Sequence, residues 1–513
     1  MAGCLGYNQT AMFDRLARNI LFLAVAVSPF LAFSFFSLPR EAVHDFVAMI
    51  LVIAALLLWS LGRLTLRPCS ITVHWLWVGC FFVLTAFFIS AMQSSAPAWA
   101  FGGELGEWGT VFSLAIFMIV LILSALLLNE EILRYRIWLI LVLTSASLWL
   151  LEIILTVFRQ TGFFSGSPSD LARLAGFVSI TSLILLEQYR ASLSRRSTIL
   201  LSIALGLSLV GEIILDHWSV WLASGIVAFF IFIEPYLRSP RLVAPRHILR
   251  PAFLVLVISI PFLIWGGGGG LLGEPLSRLS SFLGWSTVEV RPSWGATWQV
   301  ARRSLLDHPW LGSGPNHFVI DWQRYRPAQP VNATTFAEMD FPSGAGTIST
   351  FAFGGGWVGL SAWLVLIGAL LVALVRSGWQ NLRVRNAKRA APSGAAEWWL
   401  MALPVIYLWL FAIADQVNFS FLLLTAFLTG FFLTWLGAVK LSPVWGDSRR
   451  RGKKVIGVVA TVSLVLSLVG GAWLTGRLIA GAHLAFGVKA FYVEHNLTTA
   501  PPALAASARA YSS

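Results

Sequence analysis

The chain alternates long apolar stretches with short polar connections, and most of the apolar stretches reach the length of about 17 to 25 residues that a helix needs to cross bilayer hydrocarbon. On that criterion the pattern predicts helices at about 18–38, 46–61, 72–92, 109–128, 137–156, 171–186, 198–215, 218–235, 251–265, 350–375, 398–414, 419–439 and 455–475. The expected fold class is therefore all-α, a polytopic transmembrane bundle of about thirteen spans, since backbone in lipid must satisfy its own hydrogen bonds. One long polar stretch interrupts the pattern late in the chain. This divides the sequence into a helical bundle over 1–265, a loop over 266–349, a second bundle over 350–476 and a short tail over 477–513.

Composition narrows the class. Of 513 residues 57% are apolar and only 12% charged, with mean hydropathy +0.78, which excludes an ordinary soluble globular protein. The net charge of +13 would suit nucleic acid, but the basic residues sit in short connections such as Arg63 and Arg67, Arg134 and Arg136, Arg195 and Arg196, and Arg449 to Arg451. The positive-inside rule accounts for that placement. It puts the N-terminus inside and the C-terminus outside; the protein is expected to be a multi-pass protein of the cytoplasmic (inner) membrane, with the lipid bilayer and not nucleic acid as its partner. The first apolar stretch, Ile20 to Phe36, has no small-residue cleavage site after it and reads as a retained helix. Cys4, Cys69 and Cys80 are not placed to form a structural disulfide and lack metal-ligand spacing.

On this topology the loop 266–349 is external. It opens on five glycines, Gly266 to Gly270, and carries Trp285, Trp294, Trp298, Trp310, Trp322 and Tyr325, rings that favour the headgroup level, so the loop is expected to lie on the membrane. The tail predicts a helix around Leu478 to Tyr492 and a second from Pro501, either the opening unit of a helical-repeat array or a membrane-resting hairpin.

The chemistry concentrates in Arg291 to Phe318. A helix there places Trp294, Trp298, Ala301 and Leu305 on one apolar side, with Arg302 and Arg303 elsewhere. Arg291, Arg302, Arg303, Arg324 and Arg326 offer planar forks that match phosphate oxygens, or else bind outer lipid headgroups. The turn Gly312-Ser313-Gly314-Pro315-Asn316 leads into a further helix whose first amides are a second anion-binding candidate. Among the apolar helices, Glu152, Arg159, Asp170, Arg173, Glu212, Asp216 and Asp415 all fall near outer helix ends. Glu212 and Asp216 are spaced to share a face; the alternative is that the carboxylates pair with Arg159 and Arg173 as structural ion pairs.

Arg291-x-x-Trp294 followed by His308-Pro309-Trp310-Leu311-Gly312-Ser313-Gly314-Pro315-Asn316-His317-Phe318 resembles the signature of the O-antigen ligase and polymerase superfamily of bacterial membrane glycosyltransferases. Gly162 to Ala172 is similar to that family's Gly-rich motif before the sixth helix. The resemblance implies transfer of a polyprenyl-pyrophosphate-linked glycan donor to a lipid or glycan acceptor, with no cofactor and no metal. It implies that Arg291 holds the pyrophosphate; Trp294, Arg302, Arg303, Gly312, Gly314, Asn316, Arg324 and, from the bundle, Arg173 are further candidates for substrate binding. Guanidinium groups would neutralise the departing pyrophosphate while a base takes the acceptor proton.

The sequence departs from that family in two places. Where the family carries a His-Asn pair before the next helix, this chain reads Asp340-Phe341-Pro342-Ser343-Gly344-Ala345-Gly346, which leaves Asp340, His308 and His317 as the candidate bases. A Ser-Arg pair is replaced by Ser219-Val220. A non-catalytic protein that binds lipid-linked glycan or scaffolds assembly is the alternative. A secondary transporter fits less well, because the ionisable residues lie toward one surface and no inverted repeat of broken helices is visible.

Overall fold

The computed structural model describes residues 2–27, 40–65, 71–103, 109–128, 131–157, 168–189, 193–238, 251–265, 278, 291–327, 339–386, 393–436, 439–441 and 448–492. Almost all of these residues are helical, and the helices are those of a membrane protein. Six are long and apolar enough to cross a bilayer: Asp45–Leu64, Leu76–Gln93, Ser169–Glu187, Arg195–Leu215, Gly356–Gln380 and Gly457–Arg477. Val111–Leu127, Trp218–Ile233, Pro251–Ile264, Trp398–Ala414 and Phe419–Trp435 are shorter apolar helices.

The chain forms two compact units. The first takes Met1–Asn129, Arg291–Ala373 and Phe411–Ser513; the second takes Glu130–Val290 and Leu374–Leu410. The first contains α1 (Ala2–Val27), α2 (Arg40–Thr65), α3 (Leu76–Gln93), α4 (Pro97–Gly102) and α5 (Val111–Leu127). The second contains α6 (Glu131–Val157), α7 (Pro168–Gln188), α8 (Arg195–Leu215), α9 (Trp218–Arg238) and α10 (Pro251–Trp265). Later in the chain come α11 (Trp294–Asp307), α12 (Phe318–Tyr325), α13 (Thr347–Gly354), α14 (Gly356–Asn386), α15 (Ser393–Ala414), α16 (Phe419–Trp435) and α17 (Ser448–Tyr492).

In the first unit α16 is the axis of the core. All of its residues from Phe419 to Thr434 are buried, and Asn418 caps its start by accepting from the Phe421 amide at 2.9 Å. Its approach to α5 needs Gly430: a methyl there would stand 2.0 Å from Ser124 Oγ and 2.1 Å from the Leu121 carbonyl. In the second unit α7 is the central helix, wholly buried across its apolar window and packed against α6, α8 and α9.

Each apolar stretch predicted from the pattern contains a helix, with several differences at the edges. The first helix starts at Ala2, ahead of the expected 18–38, and residues 28–39 lie outside the described residues. Ile71–Val73 is not the start of a helix but a strand, β1, paired antiparallel with β2 (Val439–Leu441); β-branched Ile71, Thr72 and Val73 favour the extended form. The stretch 350–375 is two helices, because the chain breaks at Gly355 and Gly356, the latter at φ +64°. The expected break near residue 477 is absent, since α17 runs through it to Tyr492. Arg159, Gly162 to Ser167, Gly266 to Gly270, Trp285 and the helix from Pro501 lie outside the described residues.

Candidate functional site

Residues 291–327 and 339–349 of the predicted loop are folded within the first unit. Ser293 starts α11 by accepting the Ala296 amide on its hydroxyl at 3.2 Å. Of the face the apolar pattern suggested, the helix buries Ala301 and Leu305 but not the two tryptophans. Trp294 and Trp298 are 47% and 55% exposed, whereas Thr297, Val300, Ala301, Ser304 and Leu305 are buried. Two of those are small polar residues, and their hydroxyls decide the orientation. Thr297 Oγ1 accepts the buried Ala345 amide at 2.9 Å, and Ser304 Oγ donates to Asp321 Oδ2 at 2.9 Å. Val300 then packs with Phe318, Trp322, Tyr325 and Phe341 in a small core.

Arg291 precedes α11, and its guanidinium forms an ion pair with Asp415, just beyond the end of α15. The Arg291 side chain is 26% exposed and that of Asp415 only 5%. Asp415 is held by its surroundings. Its carbonyl accepts the Thr347 amide at 3.0 Å, its Oδ1 accepts the Gln416 amide at 3.1 Å, and Thr347 Oγ1 accepts the Val417 amide at 3.0 Å. Gln416 Nε2 donates to the carbonyl of Gly344 at 2.7 Å and lies 3.0 Å from both Ser343 oxygens. The segment 343–347, where the resemblance called for a histidine, is thus sewn to 413–417, and Arg291 lies on that seam.

The glycine turn also folds on the backbone. The Gly312 amide donates to the His308 carbonyl at 3.1 Å and the Gly314 amide to the Gly354 carbonyl at 3.0 Å. Trp357 and Val358 amides return bonds to the carbonyls of Pro309 and Trp310. A Cβ on Gly312, at φ +67°, would meet the Gly354 oxygen at 2.1 Å. These two glycine amides therefore serve the fold and are not left for an anion. Asn316 also has positive φ, 62°, a conformation asparagine tolerates better than most residues.

Asp321, in the first turn of α12, was not singled out by the sequence. Its carboxylate accepts from Ser304 and, at 2.6 Å, from Ser313. Burial pushes it above the usual carboxylate range, an effect the two hydroxyl bonds and the nearby His317 and His308 oppose. An acidic residue in a block of arginines was the available signal, but its serine partners lie on separate turns.

The three candidate bases are in different settings. Asp340 is exposed and accepts from Gln323 Nε2 at 2.8 Å. His308 is exposed at the C-terminal end of α11. His317 is buried near Trp99; its Nδ1 lies 2.9 Å from the Pro315 carbonyl, and its Nε2 has no hydrogen-bond partner among the described residues. A bond from Nδ1–H to that carbonyl leaves Nε2 as the basic nitrogen. Arg302, Arg303 and Arg324 are exposed; Arg303 Nη1 lies 3.5 Å from the Tyr325 carbonyl, and Arg324 lies over the Tyr325 ring at 5.7 Å.

Arg173 belongs to the second unit, where it is fully buried, pairs with Asp170 at 2.6 Å and has its carbonyl bonded by the Tyr407 hydroxyl at 2.8 Å. Glu212 is buried in the same unit. Asp216 does not continue its helical face, because the chain turns left-handed there, at φ +40°, to end α8.

Neither the family models nor the curated proteins compared with the chain give a match.

Proposed function

We propose that this chain is a membrane-embedded glycan transferase, a ligase or a polymerase, acting on a polyprenyl-pyrophosphate-linked oligo- or polysaccharide at the outer face of the cytoplasmic membrane. The reading includes about thirteen spans with the N-terminus inside, which puts residues 266–349 and the chain after Arg477 outside. The observation that supports it is Arg291: a cation fixed by a buried carboxylate and an interlocked backbone, yet a quarter open. A guanidinium held this way meets a phosphate oxygen pair without reorganising, which suits charge that develops on a leaving pyrophosphate. The exposed Arg302, Arg303 and Arg324 on the same folded segment add positive potential around it.

A second reading is favoured by Asp340, which is exposed and held by Gln323. On it the chain binds the lipid-linked glycan and does not turn it over. The test is the full chain in lipid nanodiscs with a polyprenyl-pyrophosphate oligosaccharide and acceptor glycolipid. Release of free carrier by the natural chain and not by Arg291→Gln supports the transferase. Donor bound without release on any acceptor supports the binding protein, and no binding removes both.

A further inference from the structure

Inside the second unit one buried carboxylate makes no ion pair among the described residues. Glu212 on α8 is 1% exposed, and Ser179 on α7 donates its hydroxyl to Glu212 Oε1. Ser179 Oγ is 2.8 Å from Ser208 Oγ on α8, one turn before Glu212, and Ser208 Oγ is 3.0 Å from the Leu205 carbonyl. Ser179 and Ser208 are as buried as the carboxylate. Glu212 Oε2 is enclosed and makes no hydrogen bond of ordinary geometry among the described residues; the buried hydroxyl of Ser224 on α9, likewise without one, is close enough to act on the same carboxylate. Among the described residues no basic side chain pairs with Glu212, and the neighbouring Arg173 pairs through Nη1 with Asp170. Of the other titratable groups on the surrounding helices, Tyr407, whose hydroxyl donates to the Arg173 carbonyl, is the one on which Glu212 acts, and it supplies no positive charge. The basic residues of α8, Arg195 and Arg196, stand at its opposite end from Glu212.

An ionised carboxylate in such a place is costly unless a cation joins it. The oxygen chain shows how one would be accommodated. With Glu212 ionised, Ser208 donates to Ser179 and Ser179 to Glu212. With Glu212 protonated, the direction reverses and the last hydroxyl proton goes to the Leu205 carbonyl. In each state every hydroxyl proton along the chain has an acceptor, and Ser179 and Ser208 oxygens beside a carboxylate are also hard ligands suited to an alkali cation.

We propose that Glu212, Ser179 and Ser208 form a monovalent-cation site, occupied by a proton or by a sodium ion. It does not depend on the transferase reading.

The full chain in sodium-free lipid nanodiscs at neutral pH, with choline as the only added cation, tests this by infrared difference spectroscopy between the natural chain and Glu212→Gln. The expected result is loss of a protonated-carboxyl band in the variant, and an adduct of a hydrophobic carbodiimide at Glu212 in the natural chain only. Added sodium that suppresses both signals in a saturable way identifies sodium as a ligand; signals indifferent to sodium identify the proton. Glu212→Gln keeps the shape and an amide donor, and the folded yield is expected to equal that of the natural chain. A carboxylate band assigned to Glu212 in sodium-free buffer at neutral pH overturns the proposal.

Discussion

Arg291, just ahead of α11, and Asp415, just beyond α15, form an ion pair whose members differ in access to water: the guanidinium is 26% exposed, the carboxylate 5%. That asymmetry sets the response to mutation. Arg291→Ala strands a buried charge and is expected to cost about 3 kcal/mol. Asp415→Ala leaves a guanidinium that can turn to water and is expected to cost less, and the double variant is expected to recover part of the Arg291→Ala loss. Unfolding midpoints in detergent check the order; equal losses from the two single variants would contradict it.

Gly312 and Gly356 face each other across the turn with φ +67° and +64°, and a Cβ on Gly356 would stand 2.4 Å from the Gly312 nitrogen. Alanine at either position is expected to abolish the docked turn and cut folded yield severely. Gly295 gives the contrast: its nearest neighbour is Ser293 Oγ at 3.9 Å and it lies within α11, so Gly295→Ala is expected to stabilise by up to about 1 kcal/mol. Size-exclusion profiles and melting midpoints of the three variants make the comparison.

Thr297→Val keeps volume and removes the acceptor of the buried Ala345 amide, an expected cost of about 1 to 3 kcal/mol. Thr297→Ser keeps the acceptor and is expected to lose less. The same melting measurement decides, and a valine variant as stable as the natural chain would mean that the amide finds another partner.

Asp321 carries a pH signature. Its native pKa is raised, chiefly by burial, so the folded state keeps a proton that the unfolded chain sheds near pH about 3.9. Stability from this group is therefore full below that value, is lost as pH rises to the native pKa, and stays lost above it. Asp321→Asn does not titrate and still accepts from Ser304 and Ser313. Relative to it, the natural chain is expected to weaken as pH rises through that window; a relative gain would contradict the assignment.

The apolar helices were legible because their length and composition alone define them. The orientation of α11 was not, because the pattern counted tryptophans as inward: the hydroxyls of Thr297 and Ser304 bind buried partners and turn the rings outward. The break at Gly355 and Gly356 was hidden inside an apolar run that reads as one helix. Arg291 and Asp415 were each visible as costly or chemically apt residues. Their pairing was not, because it depends on how residues far apart in sequence are brought together.

The most direct test of the central claim, that Arg291 receives a lipid pyrophosphate, is binding of undecaprenyl pyrophosphate to the full chain in nanodiscs, measured beside undecaprenol and beside an Arg291→Gln variant of equal folded content. The account predicts saturable binding of the pyrophosphate over the alcohol by the natural chain, and at least about tenfold weaker binding by the variant, from loss of a charge-assisted bidentate contact. Equal affinity of the two proteins, or no preference for the pyrophosphate over the alcohol, would contradict it.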